Sequence, residues 1–312
     1  MAHRRIGQEA FGFAGAERGR SAGLDELDAV LDWTRLERDL AGIYAAAKGE
    51  PAWPPLALFK ALLLGLWHDL SDVRLAEALD DRASFRRFCG FSLREPTPER
   101  TAFVRFRAEL VRRGLEAKLL AAVVRQLEAR RLVVRGGTLV DATVVRAASR
   151  DDDEAGWNAY ARGGPVKGYE AHISTDEAGG IVRKVAVTPA NLQDCRGLEA
   201  VLPKRPGRVW ADAAYDQVAS RDRIRAAGGT ARVCWRINPR SRPAYNAAKR
   251  AWNATIRPVR ARIEKVFGTA KRSYGLGRAR YLGLARTSLQ AHLTAIAYNL
   301  RRAANLLRAQ CA

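Results

Sequence analysis

Three acids stand where carboxylates could do chemistry. Asp141 lies in the middle of "TLVDATVV", a segment otherwise apolar on both sides. An acid there is costly to bury unless it is paired or bound to a cation. Asp212 ends "RVWADA", at the carboxyl edge of a strand, where α/β proteins place ligands. Glu264, in "ARIEKVFGTAKRSYG", is the single acid between Arg223 and the end of the chain. Three carboxylates brought together repel unless a divalent cation neutralises them. Two Mg²⁺ (or Mn²⁺) ions held by shared acids can activate water or a 3′-hydroxyl and stabilise both oxygens of an in-line phosphoryl transfer. Each acid also has an ordinary reading as a cap or an ion pair, and Glu264 has Arg260, Arg262 and Lys265 at hand.

These acids need three different elements to meet. From Gly23 to Leu132 the apolar pattern is helical, with Leu27, Val30, Leu31 and Leu36 on one face. Pro54 and Pro55 open a further helix, and Ser71 or Asp72 caps the next. The short "HDLSD" link between those two helices resembles a helix-turn-helix, or an ordinary helical hairpin. From Val133 the pattern turns β-branched. Strands are expected at "LVVRGGTLVDATVV", Tyr169–Asp176, Ile181–Thr188, Arg208–Ala213 and "ARVCWRI", with long helices over Ile256–Tyr274 and Ala285–Leu307. Three strands followed by alternating helices and strands is the order of an RNase H-like α/β domain. The expectation is an all-α N-terminal domain over residues 1–132, with 1–20 as a mobile arm. An RNase H-like catalytic domain with a mixed five-stranded sheet follows over 133–312. The run "RDDDEAG" reads as a solvated loop and His172 as structural.

Charge separates the two ends of the chain. The formal net charge is +21 over 312 residues. Residues 221–312 hold 21 Lys and Arg against two acids, whereas residues 1–220 hold 33 against 31. Of the 54 basic residues 45 are Arg, which a GC-rich genome would favour. Codon bias does not remove acids from one third of a chain, so the asymmetry points to a polyanion, and arginine suits a phosphate backbone. The four cysteines and four histidines are scattered, which argues against a zinc site or a disulfide framework and fits a reducing cytosol. No apolar run reaches the length of a membrane span and no signal-peptide core is visible, so a cytoplasmic protein is expected. Trp210 is compatible with stacking on an unpaired base or with packing in the core. Arg278 and Arg280, after glycine turns, could clamp phosphate or be solvated surface.

The chain resembles the DDE transposases of bacterial insertion sequences, specifically the insertion-sequence-five group, over nearly its whole length. "GGTLVDATVV" is similar to the family's first Asp segment, "VWADAAYD" to its second, and "RARIEKVFGTAKRSYGLGRARYLGLA" to its third. The third carries a Tyr-x2-Arg-x3-Glu-x6-Lys signature. Arg260 and Lys271 fall at its offsets from Glu264, while Arg257 occupies the Tyr position and can offer no phenol. The resemblance implies that Asp141, Asp212 and Glu264 bind two Mg²⁺ (or Mn²⁺), and that Arg257, Arg260 and Lys271 steady phosphates near the cut. It implies terminal inverted repeats and target DNA as partners, a dimer or multimer on DNA associated with the bacterial nucleoid, and neither a membrane nor a small-molecule substrate. Arg86 and Arg105, in the N-terminal helices, are expected to help read the repeat. Two alternatives stay open on sequence alone, a nuclease that cuts without joining and a silent, domesticated DNA-binding protein.

Overall fold

The computed structural model describes Gly7 and residues 22–44, 51–159 and 164–311. The expected arm, apart from Gly7, lies outside the described residues. Seven helices come first: α1 (Ala22–Asp28), α2 (Trp33–Leu40), α3 (Pro55–Trp67), α4 (Asp72–Asp81), α5 (Ala83–Cys89), α6 (Arg100–Arg112) and α7 (Glu116–Ala129). α3 is apolar almost all round and correspondingly buried, so it forms the centre of this bundle. It starts on the expected prolines. Ser71 caps α4 by accepting from the Arg74 amide, and Gly90 ends α5 in the left-handed conformation.

The second half is built on β1 (Gly137–Arg146), β2 (Gly156–Asn158), β3 (Val166–Asp176), β4 (Val182–Pro189), β5 (Arg208–Ala211) and β6 (Thr230–Val233). The helices α8 (Leu198–Val201), α9 (Val218–Ala226), α10 (Pro243–Arg260), α11 (Arg262–Tyr274) and α12 (Leu284–Cys311) pack around them. The sheet is mixed. β3 lies antiparallel between β1 and β4, while β5 runs parallel to β1 and β6 parallel to β5. This is the expected RNase H-like order with one addition. The three-residue β2 pairs with the start of β3 and makes six strands where five were expected. It falls just after the run of acids, a stretch too polar to be read as a strand.

Two further differences follow from packing. The helix expected over Ile256–Tyr274 is two helices broken at Ala261, and Pro258, which has no N–H to donate, sits in the last turn before the break. The acidic run is not simply solvated. Asp152 is buried and accepts from the Tyr169 hydroxyl (2.8 Å) and the Gly283 amide (3.2 Å), and Glu154 accepts from the Leu284 amide (2.9 Å). These acids satisfy amides at the start of α12, which would otherwise lack partners.

One apolar cluster runs from the N-terminal helices through α11 and α12 onto one face of the sheet, and a smaller one with Val140, Leu198, Val209 and Ile224 covers the other face. α12 joins the parts. Trp67 of α3 donates its indole N–H to the Ala297 carbonyl (3.0 Å), and Asn299 brackets the backbone of Val182 on β4 with two bonds (2.8 and 2.7 Å).

Candidate active site

Strand alternation decides which face each acid takes. The parallel register pairs Leu139 with Trp210, so continuing it by two residues sets Asp141 beside Asp212. Leu139 and Trp210 belong to the large cluster and Val140, Val209 and Ala211 to the small one, so both aspartates face the side on which α11 packs. α11 carries Glu264 in its first turn. The Arg260 guanidinium closes the group by donating to Asp141 Oδ2 (2.9 Å) and to Glu264 Oε1 (2.8 Å). Asp141 also accepts from the Ala142 amide (2.9 Å), and Asp212 accepts from the Ala214 amide (2.8 Å) at the head of a short 3₁₀ turn. The Asp141 side chain is only 13% exposed, that of Glu264 59%.

Burial, and then the negative charge of Asp212, raise the Asp141 carboxyl, with Arg260 pulling the other way, to about 7. A carboxyl in this state needs a cation beside it, and Arg260 supplies one. Among the described residues no group of three His, Cys, Asp or Glu side chains is already arranged to hold a metal ion. The reason is local: the Glu264 carboxylate rests on Arg260, which stands between it and Asp141. The donor set nonetheless suits a hard divalent ion, since it consists of carboxylate oxygens with one raised acid and a resident cation in their midst. Asp141 and Asp212 could hold the metal, with Glu264 joining once Arg260 turns away.

The structure adds acids that the sequence pattern did not single out. Glu170 of β3, opposite Val144, and Asp194 lie beside each other on the opposite face of the sheet. Burial first, and then the partner's or Asp212's charge, raises both above their ordinary values. The buried Tyr215 hydroxyl has no hydrogen-bond partner among the described residues, and burial followed by the charges of Asp141, Asp194, Asp212 and Glu170 holds its proton tightly. The available signal was an acid at position 170 inside a strand, the same signal that marked Asp141. Gly197 lets the Asp194 turn lie against the His172 ring, where a Cβ would collide. His172 is structural as expected, bonded through Nε2 to the Thr188 hydroxyl (2.9 Å) and driven down to about 4 by burial.

The expected DNA contacts divide. Arg257 is exposed in the last turn of α10, and Lys271 lies two turns beyond Glu264 on α11. Burial, and then the charge of Arg146, lower the Lys271 amine. Arg146 was not singled out from the sequence, and two cations held near each other favour an anion between them. Arg105 is exposed on α6. The structure decides the readings left open for Trp210 and Arg280 and corrects the one for Arg86. Trp210 is buried and donates its indole N–H to Glu177 (3.0 Å), so its ring belongs to the core and not to a base. Arg86 is buried and donates to the carbonyls of Asp80, Ser92 and Glu95 and to the Asp80 carboxylate (2.6–3.2 Å), which makes it a brace of the bundle. Arg280 pairs with Asp69 (2.7 Å), which ties the segment after α11 to the body, whereas Arg278 is exposed, donates only to the Ala148 carbonyl (2.8 Å) and keeps its charge. The helix-turn-helix reading also weakens, because α4 carries Asp72, Glu77, Asp80 and Asp81 against Arg74 alone.

Two family models match this chain. One, described as a transposase domain (DUF772), covers residues 16–109, and the other, described as a transposase DDE domain, covers residues 134–300. The second spans more than half of the sequence and contains all three acids. The chain belongs to the DDE transposase family. It is therefore an enzyme of DNA cleavage and transfer, of a family that generally uses divalent metal ions, and its partner is DNA. No helix among the described residues is long and apolar enough to cross a membrane.

Proposed function

We infer that this transposase belongs to the insertion-sequence-five group. It binds the terminal inverted repeats of its element and cuts and rejoins DNA strands at Asp141, Asp212 and Glu264, acting as a dimer or multimer on the bacterial nucleoid in the cytoplasm. The observation that carries the reading is the single guanidinium of Arg260 joining Asp141 to Glu264 on the sheet face that Asp212 shares. Nothing in the fold requires acids on β1 and α11 to converge there, and burial together with the charge of Asp212 raises the Asp141 carboxyl, which suits a place where a cation is to be held.

Two Mg²⁺ (or Mn²⁺) ions, when bound, would activate a water or 3′-hydroxyl and stabilise the oxygens of the phosphoryl transfer. The chain's own groups do the rest. Asp141 stands on β1 and Asp212 just past the end of β5, at the head of a 3₁₀ turn, and together they fix the ligand positions. Glu264 is exposed and can move by side-chain rotation alone. Arg260, once released from the two acids, is free to turn to a DNA phosphate. Arg257, Lys271 and Arg146 extend the cationic surface on which the strand would lie, contacts that position DNA without reading its sequence. The exposed face of α6, with Arg100 and Arg105, adds an open basic surface on the N-terminal helices.

The test is cleavage and strand transfer on duplexes that carry the element's own ends. Asp141→Ala, Asp212→Ala and Glu264→Ala should each remove Mg²⁺-dependent cleavage while the protein stays folded and binds DNA. Near-native cleavage by any one would strike that residue from the site. Cleavage without joining of pre-cut ends would make the protein a nuclease.

A further inference from the structure

α11 has two flanks, and the site described above uses one of them. At about 3.6 residues per turn, Lys271 lies almost directly above Glu264, while Arg262, Lys265, Thr269 and Ser273 fall roughly 100–180° away. Those four residues line a cavity of about 540 Å³ between α11, α12 and the turn after β3, which Arg301 and Arg302 of α12 complete.

The charges in this cavity are unusual for the molecule. Arg262 donates to the Glu177 carbonyl (3.3 Å), Arg301 to the Trp67 carbonyl (3.2 Å) and Arg302 to the Gly179 carbonyl (2.7 Å). Carbonyls orient a guanidinium without cancelling its charge. Among the described residues none of these arginines, nor Lys265, pairs with a carboxylate. The one acid in the lining, Glu177, is engaged by Arg208 (3.4 Å) and by the Trp210 indole (3.0 Å). Four cations thus converge with the hydroxyls of Thr269, Ser273 and Tyr298 on a polar cavity that keeps a net positive charge. Convergent, pre-oriented donors with uncancelled charge suit the oxygens of phosphate.

We propose that this cavity is a second phosphate site, which grips a further stretch of DNA backbone on the flank of α11 away from Glu264. The inference rests on the reading of Glu264 and Lys271 as facing the scissile strand. α11 would then be clamped by DNA on both sides, and the segment in the cavity would lie outside the reach of the three acids. Duplex DNA is favoured over a small polyphosphate because the rim residues Arg262, Lys265 and Ser273 are exposed, which leaves the cavity open along α11 to an extended chain.

Acylation footprinting of the full-length protein separates the two flanks, with Lys265 reporting on the cavity and Lys271 on the proposed active site. Random-sequence duplex DNA should protect both amines, and inorganic tripolyphosphate at the same phosphate concentration should leave Lys265 reactive. In parallel, Lys265→Gln and Arg262→Gln, both exposed side chains that the fold can spare, should each lower the slope of log K against log salt by about 0.9. Protection of Lys271 with Lys265 fully reactive would overturn the second site and leave the active-site reading standing. Protection of Lys265 by tripolyphosphate but not by duplex would overturn DNA as the ligand. Failure of duplex DNA to protect either lysine would overturn both readings.

Discussion

The helices before Arg131 and those after Pro243 are both rich in arginine, yet their positive groups are satisfied in different ways. In the N-terminal bundle the cations meet acids: Lys60 with Asp28, Arg86 with Asp80, Arg87 with Asp25, Arg107 with Asp72, Lys118 with Asp39, and Arg112 and Arg113 with Glu109. In α10 to α12 they more often meet carbonyls or aromatic rings. Lys249 donates to the Arg236 carbonyl and lies over Tyr245, and Arg262, Arg301 and Arg302 each hold a carbonyl. The first arrangement spends charge on assembling a bundle. The second keeps it available to an outside anion, and it surrounds the one helix that carries Glu264. Arginine content alone does not mark a DNA surface, whereas arginine without carboxylate does.

The largest effect expected from this contrast is at the active site. Removing Asp141, Asp212 or Glu264 should lower the cleavage rate by more than about 100-fold, since even outer-shell partners of a metal are worth 10–100-fold. Salt-dependent DNA binding by these variants should persist, because the phosphate contacts lie on other residues. A variant that lost binding and cleavage together would mean that the acids shape the basic surface, and the division between chemistry and charge would fall.

Next in size is Arg86→Ala, which tests the claim that bundle arginines are structural. It removes a buried side chain and leaves the Ser92 and Glu95 carbonyls without their donor, so unfolding should become easier by about 2–4 kcal/mol. Denaturant melts measure this. If stability were unchanged and preference for the terminal repeat were lost instead, Arg86 would belong with the DNA-facing set.

The two acid groups on either side of the sheet sharpen the comparison further. Burial raises Glu170 from an ordinary value of 4.5, so the folded protein keeps a proton that the unfolded chain releases. Stability from this group is therefore present at low pH and declines as pH rises above about 4.5, with a steepest slope of about 1.36 kcal/mol per pH unit for one proton. Glu170→Gln should flatten that decline in stability measured across the neutral range in chelator. A steeper decline in the variant would show that Glu170 is ionised and supported in the native protein.

Much of this was legible in the sequence, for identifiable reasons. Asp141 stood out because an acid interrupted an apolar strand, and Glu264 because it was alone among bases. Strand order followed from β-branched runs and the spacing of glycine turns. Burial was not legible. Trp210 could be read as a stacking ring or as core and is in the core, and Arg86 looked like a surface cation and is a brace, because exposure depends on which elements pack over a position. Glu170 and Asp194 become neighbours only once the turn after β4 folds back over β3, a contact that no local pattern encodes. The break at Ala261 was equally hidden, although Pro258 was in plain view.

The smallest effects expected are those of single exposed cations. Arg257→Ala and Lys271→Ala should each reduce the salt slope of binding by about 0.9 and weaken repeat and scrambled duplexes alike, since phosphates carry no base code. Arg105→Ala is the informative partner to these. Arg105 is exposed on α6, and no ion pair holds it among the described residues, so its charge stays open to an outside anion. If it reads a base in the repeat, its loss should cost about 1–3 kcal/mol on the repeat and little on scrambled DNA. If it only meets a phosphate, both duplexes should weaken equally and the slope should fall by about 0.9. A parallel salt titration of the three variants on both duplexes distinguishes these outcomes. Loss of repeat preference in Lys271→Ala with its slope intact would reverse the roles of the two ends of the chain, with the C-terminal third reading sequence and the N-terminal helices supplying charge.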